Sequence, residues 1–292
     1  IGRVLIERLS FNQSDAPPAA AIRLQRAELS ASVLGDRVDL RRLDVRMAQP
    51  EAILDATGSA RLTAHYPLDL NLSWQFKQAP ALELRGQGRI GGDLAALQIN
   101  HRLSGSIDAE LQAQVRELVQ APAWDGNIRI DQVSLPEIVA DAPAVELTAE
   151  LDTQGNLDDA RVTGSLAGRA PDLPDFGALH AELDLGWAAK ILAIRALQLA
   201  QSESDALIDL NGRLDLNGQQ PAFELNGVWQ SLRWPLVGVP LVEMPRGTLD
   251  LNGDLDAFSY QMNFDARGEQ IPETSLTLTG SGDHAGTELQ AC

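Results

Sequence analysis

Apolar and polar residues alternate along most of this 292-residue chain. In the segment 68–76 every second residue is apolar, from Leu68 to Phe76, and the residues between them are polar. Side chains of a β-strand point alternately to its two faces, so such a segment predicts a strand with one apolar and one polar face. The pattern is typical of an antiparallel sheet that faces solvent on one side. Further segments with the same period lie at 99–107, 145–151, 179–187, 208–216, 223–225 and 260–264.

The number and spacing of these segments predict an all-β chain of roughly 16 to 20 strands. Two segments also show helical spacing. In one it relates Ile107, Leu111, Val115 and Leu118, and in the other it relates Trp187, Ile191 and Ile194. We predict a strand over 103–115, since the alternation continues from the preceding residues. The next residues, 116–120, are compatible with a short helical turn.

Internal repetition is the second signal in the sequence. Residues 27–104 and 181–265 match in collinear order after small insertions, and 105–180 carries a looser piece. Trp74 pairs with Trp229 in this alignment, and the Arg-Gly dipeptide at 85–86 pairs with the one at 246–247. The repeats predict one continuous β domain over residues 1–292, which we expect to be part of a longer chain.

Charge and cysteine content narrow the function. The chain has 23 basic and 41 acidic residues, a net charge of −18, which argues against binding to nucleic acid. Its single cysteine, Cys292, rules out a disulfide within the chain and a cysteine-based zinc site. The histidines are scattered, so we expect them at the surface or the rim of the sheet: His65, His101, His180 and His284.

Two glycine motifs have weak functional interpretations. Residues 86–91 match the dinucleotide fingerprint G-x-G-x-x-G, but alternation follows where the phosphate-binding helix should begin. The tetrapeptide Asp-Leu-Asn-Gly occurs at 209–212, 215–218 and 250–253 without the further acids of a calcium loop. We therefore predict no catalytic residues, no metal, no cofactor and no enzymatic activity, and we expect Gly212 to lie within a strand.

The chain resembles one known family. The string 66–74 (Tyr-Pro-Leu-Asp-Leu-Asn-Leu-Ser-Trp), the string 232–236 and the string 246–253 are similar to the TamB family, a component of the translocation and assembly module of Gram-negative bacteria. We expect the chain to be a middle fragment of such a protein, lying between the family's N-terminal signal anchor and its C-terminal conserved domain.

The resemblance implies a periplasmic protein tethered to the inner membrane, with a long, mostly antiparallel sheet curled into an open trough with an apolar interior. It implies phospholipid transport between the two membranes or, with an outer-membrane barrel partner of the TamA type, assistance to outer-membrane protein assembly. Contacts with membranes would involve the ends of the full-length protein. A polysaccharide-acting extracellular β-solenoid is a minor alternative, because its rungs would repeat at a much shorter period.

The apolar positions of the strands are the candidate lipid-groove residues. For Trp74 and Trp229 two interpretations stay open, since large aromatic side chains either fill a core or line a groove that a ligand can enter. The candidates are Leu29, Leu43, Val45, Leu54, Leu62, Leu70, Leu72, Trp74, Ile99, Leu103, Leu183, Leu185, Leu197, Leu199, Ile208, Leu210, Leu214, Leu216, Leu225, Trp229, Tyr260, Met262 and Phe264.

Overall fold

The chain forms two compact units, Ile1–Ala144 and Val145–Cys292, which we call unit 1 and unit 2. A computed structural model provides the coordinates. The residues that the structure describes are 2–11, 22–78, 81–139, 142, 144–171, 177–202, 204–218, 220–235, 238–254, 256–269, 271–283 and 286–291.

The described residues of unit 1 form nine strands and one helical turn. The alternating sequence sets the strands, and Pro136 lies in the first turn of the short helix, where its missing N–H is tolerated. The elements are β1 (Gly2–Phe11), β2 (Ile22–Leu34), β3 (Arg37–Gln49), β4 (Glu51–Arg61), β5 (Leu68–Gln78), β6 (Leu82–Asp93), β7 (Ala96–Gly105), β8 (Ile107–Arg116), β9 (Ala123–Val133) and α1 (Leu135–Ile138).

The part of unit 2 that the structure describes forms ten strands and no helix. The strands are β10 (Glu146–Asn156), β11 (Asp159–Arg169), β12 (Ala178–Ala188), β13 (Ile191–Gln201), β14 (Leu207–Asp215), β15 (Ala222–Trp234), β16 (Val242–Asp254), β17 (Phe258–Gly268), β18 (Ile271–Asp283) and β19 (Gly286–Ala291).

In each unit, every strand pairs antiparallel with the next strand along the chain. Among the described residues no ladder joins the first strand of a unit to its last, so neither sheet closes into a barrel. The predicted fold class, an all-β antiparallel sheet left open as a trough, is confirmed. The single continuous domain over 1–292 stays a prediction.

The repeat seen in the sequence also appears in the backbone. The segment 27–104 covers β2 to β7 of unit 1, and 181–265 covers β12 to β17 of unit 2. The β3–β4 pairing shifts register between Leu40 and Leu43, and the β13–β14 pairing shifts between Ile194 and Leu197, at the aligned positions. Gly58 and Gly212 follow these bulges with φ of 154° and 157°, a conformation that glycine adopts without a Cβ penalty. Gly212 therefore lies within a strand, as predicted.

The remaining local predictions have mixed outcomes. The single strand predicted over 103–115 is divided at Ser106, because 103–105 ends β7 and Ile107–Arg116 is β8, which runs antiparallel to it. After β8 the N–H groups of Gln120 and Ala121 donate to the carbonyl of Glu117 in a hydrogen-bonded turn, where no helix is formed. The fingerprint glycines at 86–91 lie inside β6, and β7 follows directly, so no helix end is available to hold a phosphate. The helical turn α1 was not predicted. Cys292 and His284 lie outside the described residues.

Candidate functional site: the apolar face of each unit

One face of unit 1 is apolar from strand to strand. Residues that lie directly opposite each other in an antiparallel pair share a face, so the registers trace rows across the sheet. The histidine row runs through Val4, Leu29, Leu43, Ala56, Leu72, Gly88, His101, Leu111 and Ile128. Beside it, the first tryptophan row runs through Ile6, Ala27, Val45, Leu54, Trp74, Gly86, Leu103, Ala109 and Ile130.

Unit 2 has the equivalent rows, with an apolar side chain or glycine at every position. The methionine row runs through Leu151, Gly164, Leu183, Leu197, Leu210, Gly227, Leu249, Met262 and Leu278. The second tryptophan row runs through Ala149, Leu166, Ala181, Leu199, Ile208, Trp229, Gly247, Phe264 and Leu276.

These faces are not packed to the density of a protein core. When two sheets pack face to face, the side chains between them interdigitate and become fully buried. Most of the candidate groove residues are only half-buried, and Trp229 alone among them is buried. Across the described residues, the buried apolar side chains are Leu97, Val133, Ala149, Ala206, Trp229 and Ala266.

Three candidate residues are exposed. Leu29 lies in the histidine row and is 40% exposed. Leu62 and Leu216 do not lie on strands, because β4 ends at Arg61 and β14 ends at Asp215. Their backbone N–H groups donate to the carbonyls of Asp36 and Lys190, which ties each one into a neighbouring turn in the same way. Leu62 and Leu216 therefore lie at the rim of the sheet rather than on the apolar face.

Trp74 and His101 form a hydrogen-bonded pair on the apolar face of unit 1. Trp74 Nε1 donates to His101 Nε2 at 3.1 Å, and the two rings are nearly parallel, with centroids 5.8 Å apart. The rings meet above β6 because that strand has glycine at the two positions beneath them, Gly86 and Gly88. A Cβ on Gly86 would overlap both rings, and a Cβ on Gly88 would overlap the imidazole.

His101 is the residue of the candidate site whose position the sequence predicted wrongly. We expected it at the surface or rim, but it lies on the apolar face and is half-buried. Burial lowers the pKa of His101 below its usual value, because the charged imidazolium loses solvation. The alternation Leu97, Ile99, His101, Leu103 was the available signal, since it places the histidine in phase with its apolar neighbours. His65 lies in a turn and His180 is exposed, as expected.

Trp229 occupies the equivalent position in unit 2, but its surroundings are apolar. Its indole lies over Gly247 and packs against Phe264, with ring centroids 6.2 Å apart at an interplanar angle of 43°. The side chain is 7% exposed. Trp229 Nε1 is buried and has no hydrogen-bond partner among the described residues.

The opposite face of each sheet carries the charges. Arg89 forms a two-pronged ion pair with Asp69 in unit 1, both N···O distances being 2.7 Å, and Arg161 pairs with Asp184 at 2.6 Å in unit 2. The hydrogen bond and charge of Arg89 lower the pKa of Asp69, and Arg161 lowers the pKa of Asp184 in the same way. These pairs link adjacent strands and keep the polar face solvated.

Two buried carboxylates also lie on this polar face. Asp44 is 1% exposed and Glu28 is 6% exposed, and they lie opposite each other on β2 and β3. Burial opposes ionisation of Asp44, but hydrogen bonds from Arg42 and Arg46 outweigh it and lower the pKa. A hydrogen bond from Arg26 lowers the pKa of Glu28. Neither charge interrupts an apolar row, because Leu29 and Leu43 point to the other face.

Fold and face together define a class: an open antiparallel sheet protein with a half-buried apolar surface on one side. The family model for the TamB N-terminal domain matches residues 3–209 and, in an overlapping second match, 193–292. The chain therefore belongs to the TamB family, confirming the predicted resemblance. This membership makes it a cell-envelope protein with a role in outer-membrane biogenesis, in a family that works with outer-membrane partners.

No solved structure matches the chain. A helix with the length and hydrophobicity to cross a membrane is not found in the described residues.

Proposed function

We propose that the apolar face of each unit binds phospholipid acyl chains and lets them pass between the inner and outer membranes. In this proposal the chain is a non-enzymatic, periplasmic part of a longer protein that is tethered to the inner membrane. The observation that carries it is the run of apolar rows whose side chains are half-buried rather than packed against a second layer.

The physical argument concerns the cost of moving a lipid through water. Exposing one CH₂ group to water costs about 0.8 kcal/mol of free energy. A 16-carbon acyl chain that leaves a membrane for water therefore meets a barrier on the order of 12 kcal/mol. An apolar face that accepts the chain at every row removes most of this barrier. Aliphatic rows with few aromatics favour weak contacts of similar strength along the face over one tight site.

The polar face supports the same function from the other side. The net charge of −18 and the cross-strand ion pairs favour solvation of that face. They do not favour anionic head groups, so we expect those to stay in solvent at the open side of the sheet.

The test compares two pairs of variants. One pair introduces a carboxylate on the apolar face, and the control pair introduces it at the neighbouring residue, which lies on the polar face. Leu72→Asp and Leu210→Asp put a carboxylate in the histidine and methionine rows, whereas Asn71→Asp and Asn211→Asp put it on the polar face. The chain is incubated with phosphatidylethanolamine and phosphatidylglycerol vesicles, and bound lipid is counted by native mass spectrometry. We expect the first pair to lose at least about tenfold in bound lipid, because burying an unpaired charge costs several kcal/mol, and the second pair to match wild type.

Circular dichroism of all four variants checks that the sheet is retained. A wild-type chain that binds no phospholipid, or Leu72→Asp and Leu210→Asp variants that bind as much as wild type, would overturn the proposal. Crosslinking to unfolded outer-membrane proteins in place of lipid would instead support a chaperone role in their assembly.

A further inference from the structure

His101 is the one side chain with a hydrogen-bonding group in the histidine row of unit 1, where the other positions are apolar or glycine. We propose that His101 Nδ1 donates a hydrogen bond to the ester carbonyl of a diacyl phospholipid lying on this face. The inference rests on the proposed function and adds to it a contact that recognises the lipid's ester linkage.

The hydrogen bond from Trp74 determines which nitrogen of His101 carries the proton. An indole N–H is a donor only, so His101 Nε2 must accept from it, and the hydrogen of the neutral ring is then on Nδ1. Burial lowers the pKa of His101, which keeps the ring neutral at neutral pH. The imidazole therefore presents one fixed donor on the apolar face.

Gly88 of β6 places no side chain against that donor. His101 Nδ1 lies against the bare Cα of Gly88, where a Cβ would overlap it. Its other cross-strand neighbour is Leu111, which offers no acceptor. Among the described residues Nδ1 has no hydrogen-bond partner, and the side chain is only half-buried, so a ligand on the face can reach it.

The chemistry of the surroundings selects the ligand group. A buried hydrogen-bond donor without a partner costs free energy. A ligand that is mostly apolar but carries one acceptor can cover His101 and also pair with its donor. In a phospholipid, the first acceptor reached from the hydrocarbon end is the ester carbonyl. A phosphate would instead favour a cationic partner, and the positions flanking His101, Gly88 and Leu111, carry no charge.

Unit 2 provides an internal comparison. The equivalent of His101 is Met262, which has no donor, and Trp229 Nε1 is buried. The hydrogen-bonding contact therefore belongs to unit 1 only.

The experiment is a competition between two phosphatidylethanolamines that differ only in linkage, a dihexadecanoyl diester and a dihexadecyl diether. The ether lacks the carbonyl but has the same hydrocarbon chains and head group. Bound lipids are quantified by native mass spectrometry for wild type, His101→Met and His101→Asn, with Asn100→Met as the matched control on the polar face of the same strand.

One net hydrogen bond is worth about fivefold in affinity, so lipid bound beside His101 in wild type should favour the diester by about that factor. The preference in total bound lipid should be smaller, because unit 2 binds both lipids without this contact. His101→Met should bind both lipids equally, while Asn100→Met should keep the preference. His101→Asn, which retains an amide donor, should keep part of it. Equal binding of the two lipids by wild type, or an unchanged preference in His101→Met, would overturn this inference alone. Failure to bind either lipid would overturn the proposed function and this inference with it.

Discussion

Trp74 and Trp229 occupy the same position in two copies of one module, yet they are held differently. Trp74 donates a hydrogen bond to His101 and is half-buried, whereas Trp229 packs on Phe264 and leaves its N–H buried without a partner among the described residues. Both lie over a glycine of the next strand, Gly86 or Gly247.

The difference shows that the module fixes the shape of the site but not its polarity. A glycine opposite the tryptophan is needed in both units because the indole covers the backbone. The residue at the His101 position then decides between a polar contact and a continuous apolar surface. The two units thus have two surfaces of the same form and different chemistry.

Substitution of the covered glycines should have the largest effect on stability. In Gly247→Ala the new Cβ would overlap Trp229 and approach Phe264 Cβ to 2.7 Å, and the buried indole has little room to move. We expect a loss of about 2–3 kcal/mol in the free energy of unfolding for Gly247→Ala and about 1–2 kcal/mol for Gly86→Ala, where the half-buried rings can shift. Urea unfolding followed by tryptophan fluorescence measures both.

Gly91→Ala is the matched control for these variants. Gly91 lies on β6 like Gly86, but on the polar face, and a Cβ there meets nothing within 4 Å. Its stability should stay within about 0.5 kcal/mol of wild type. If Gly247→Ala were equally mild, Trp229 would not be packed on the backbone as described.

The sequence predicted the faces of the strands better than it predicted their ends. A period of two tells which residues share a face, and the internal repeat alone placed Trp74 and Trp229 in equivalent positions. Periodicity does not show where pairing stops, so Leu62 and Leu216 were included although their N–H groups bond to turns. It also does not distinguish a charge in solvent from one covered by arginines, so the burial of Asp44 was not foreseen.

The pH dependence of stability should differ between the two sites. His101 can accept from Trp74 only while neutral, and burial holds its folded-state pKa below the unfolded value, about 6.5. Its contribution is therefore complete above about pH 6.5 and is lost as the pH falls towards the folded-state pKa, with a slope of at most about 1.4 kcal/mol per pH unit. The positions flanking it on β6 and β8, Gly88 and Leu111, do not titrate.

The measurement is the free energy of unfolding of wild type minus that of His101→Met, from pH 7.5 to pH 5. Subtraction removes the many carboxylates, which titrate in both proteins. Met262→His should introduce the same dependence in unit 2, because it offers Trp229 Nε1 an acceptor. A difference that does not change with pH would show that the neutral imidazole is not what holds Trp74.

The smallest effects are expected on the polar face, where the two copies also differ. Asp69 of unit 1 pairs with Arg89 on the following strand through two short contacts, while Glu224, its equivalent in unit 2, pairs with Arg213 on the preceding strand through one contact of 3.0 Å. Exposed ion pairs contribute roughly 0–1 kcal/mol, and two-pronged ones lie at the upper end. Arg89→Gln should therefore lower the free energy of unfolding slightly more than Arg213→Gln.

Both losses should shrink in 1 M NaCl, since salt screens exposed charges but leaves hydrophobic packing in place. A loss larger than that of Gly86→Ala, or one insensitive to salt, would mean that the polar face holds the sheet together more strongly than the packing of Trp74 and Trp229 does.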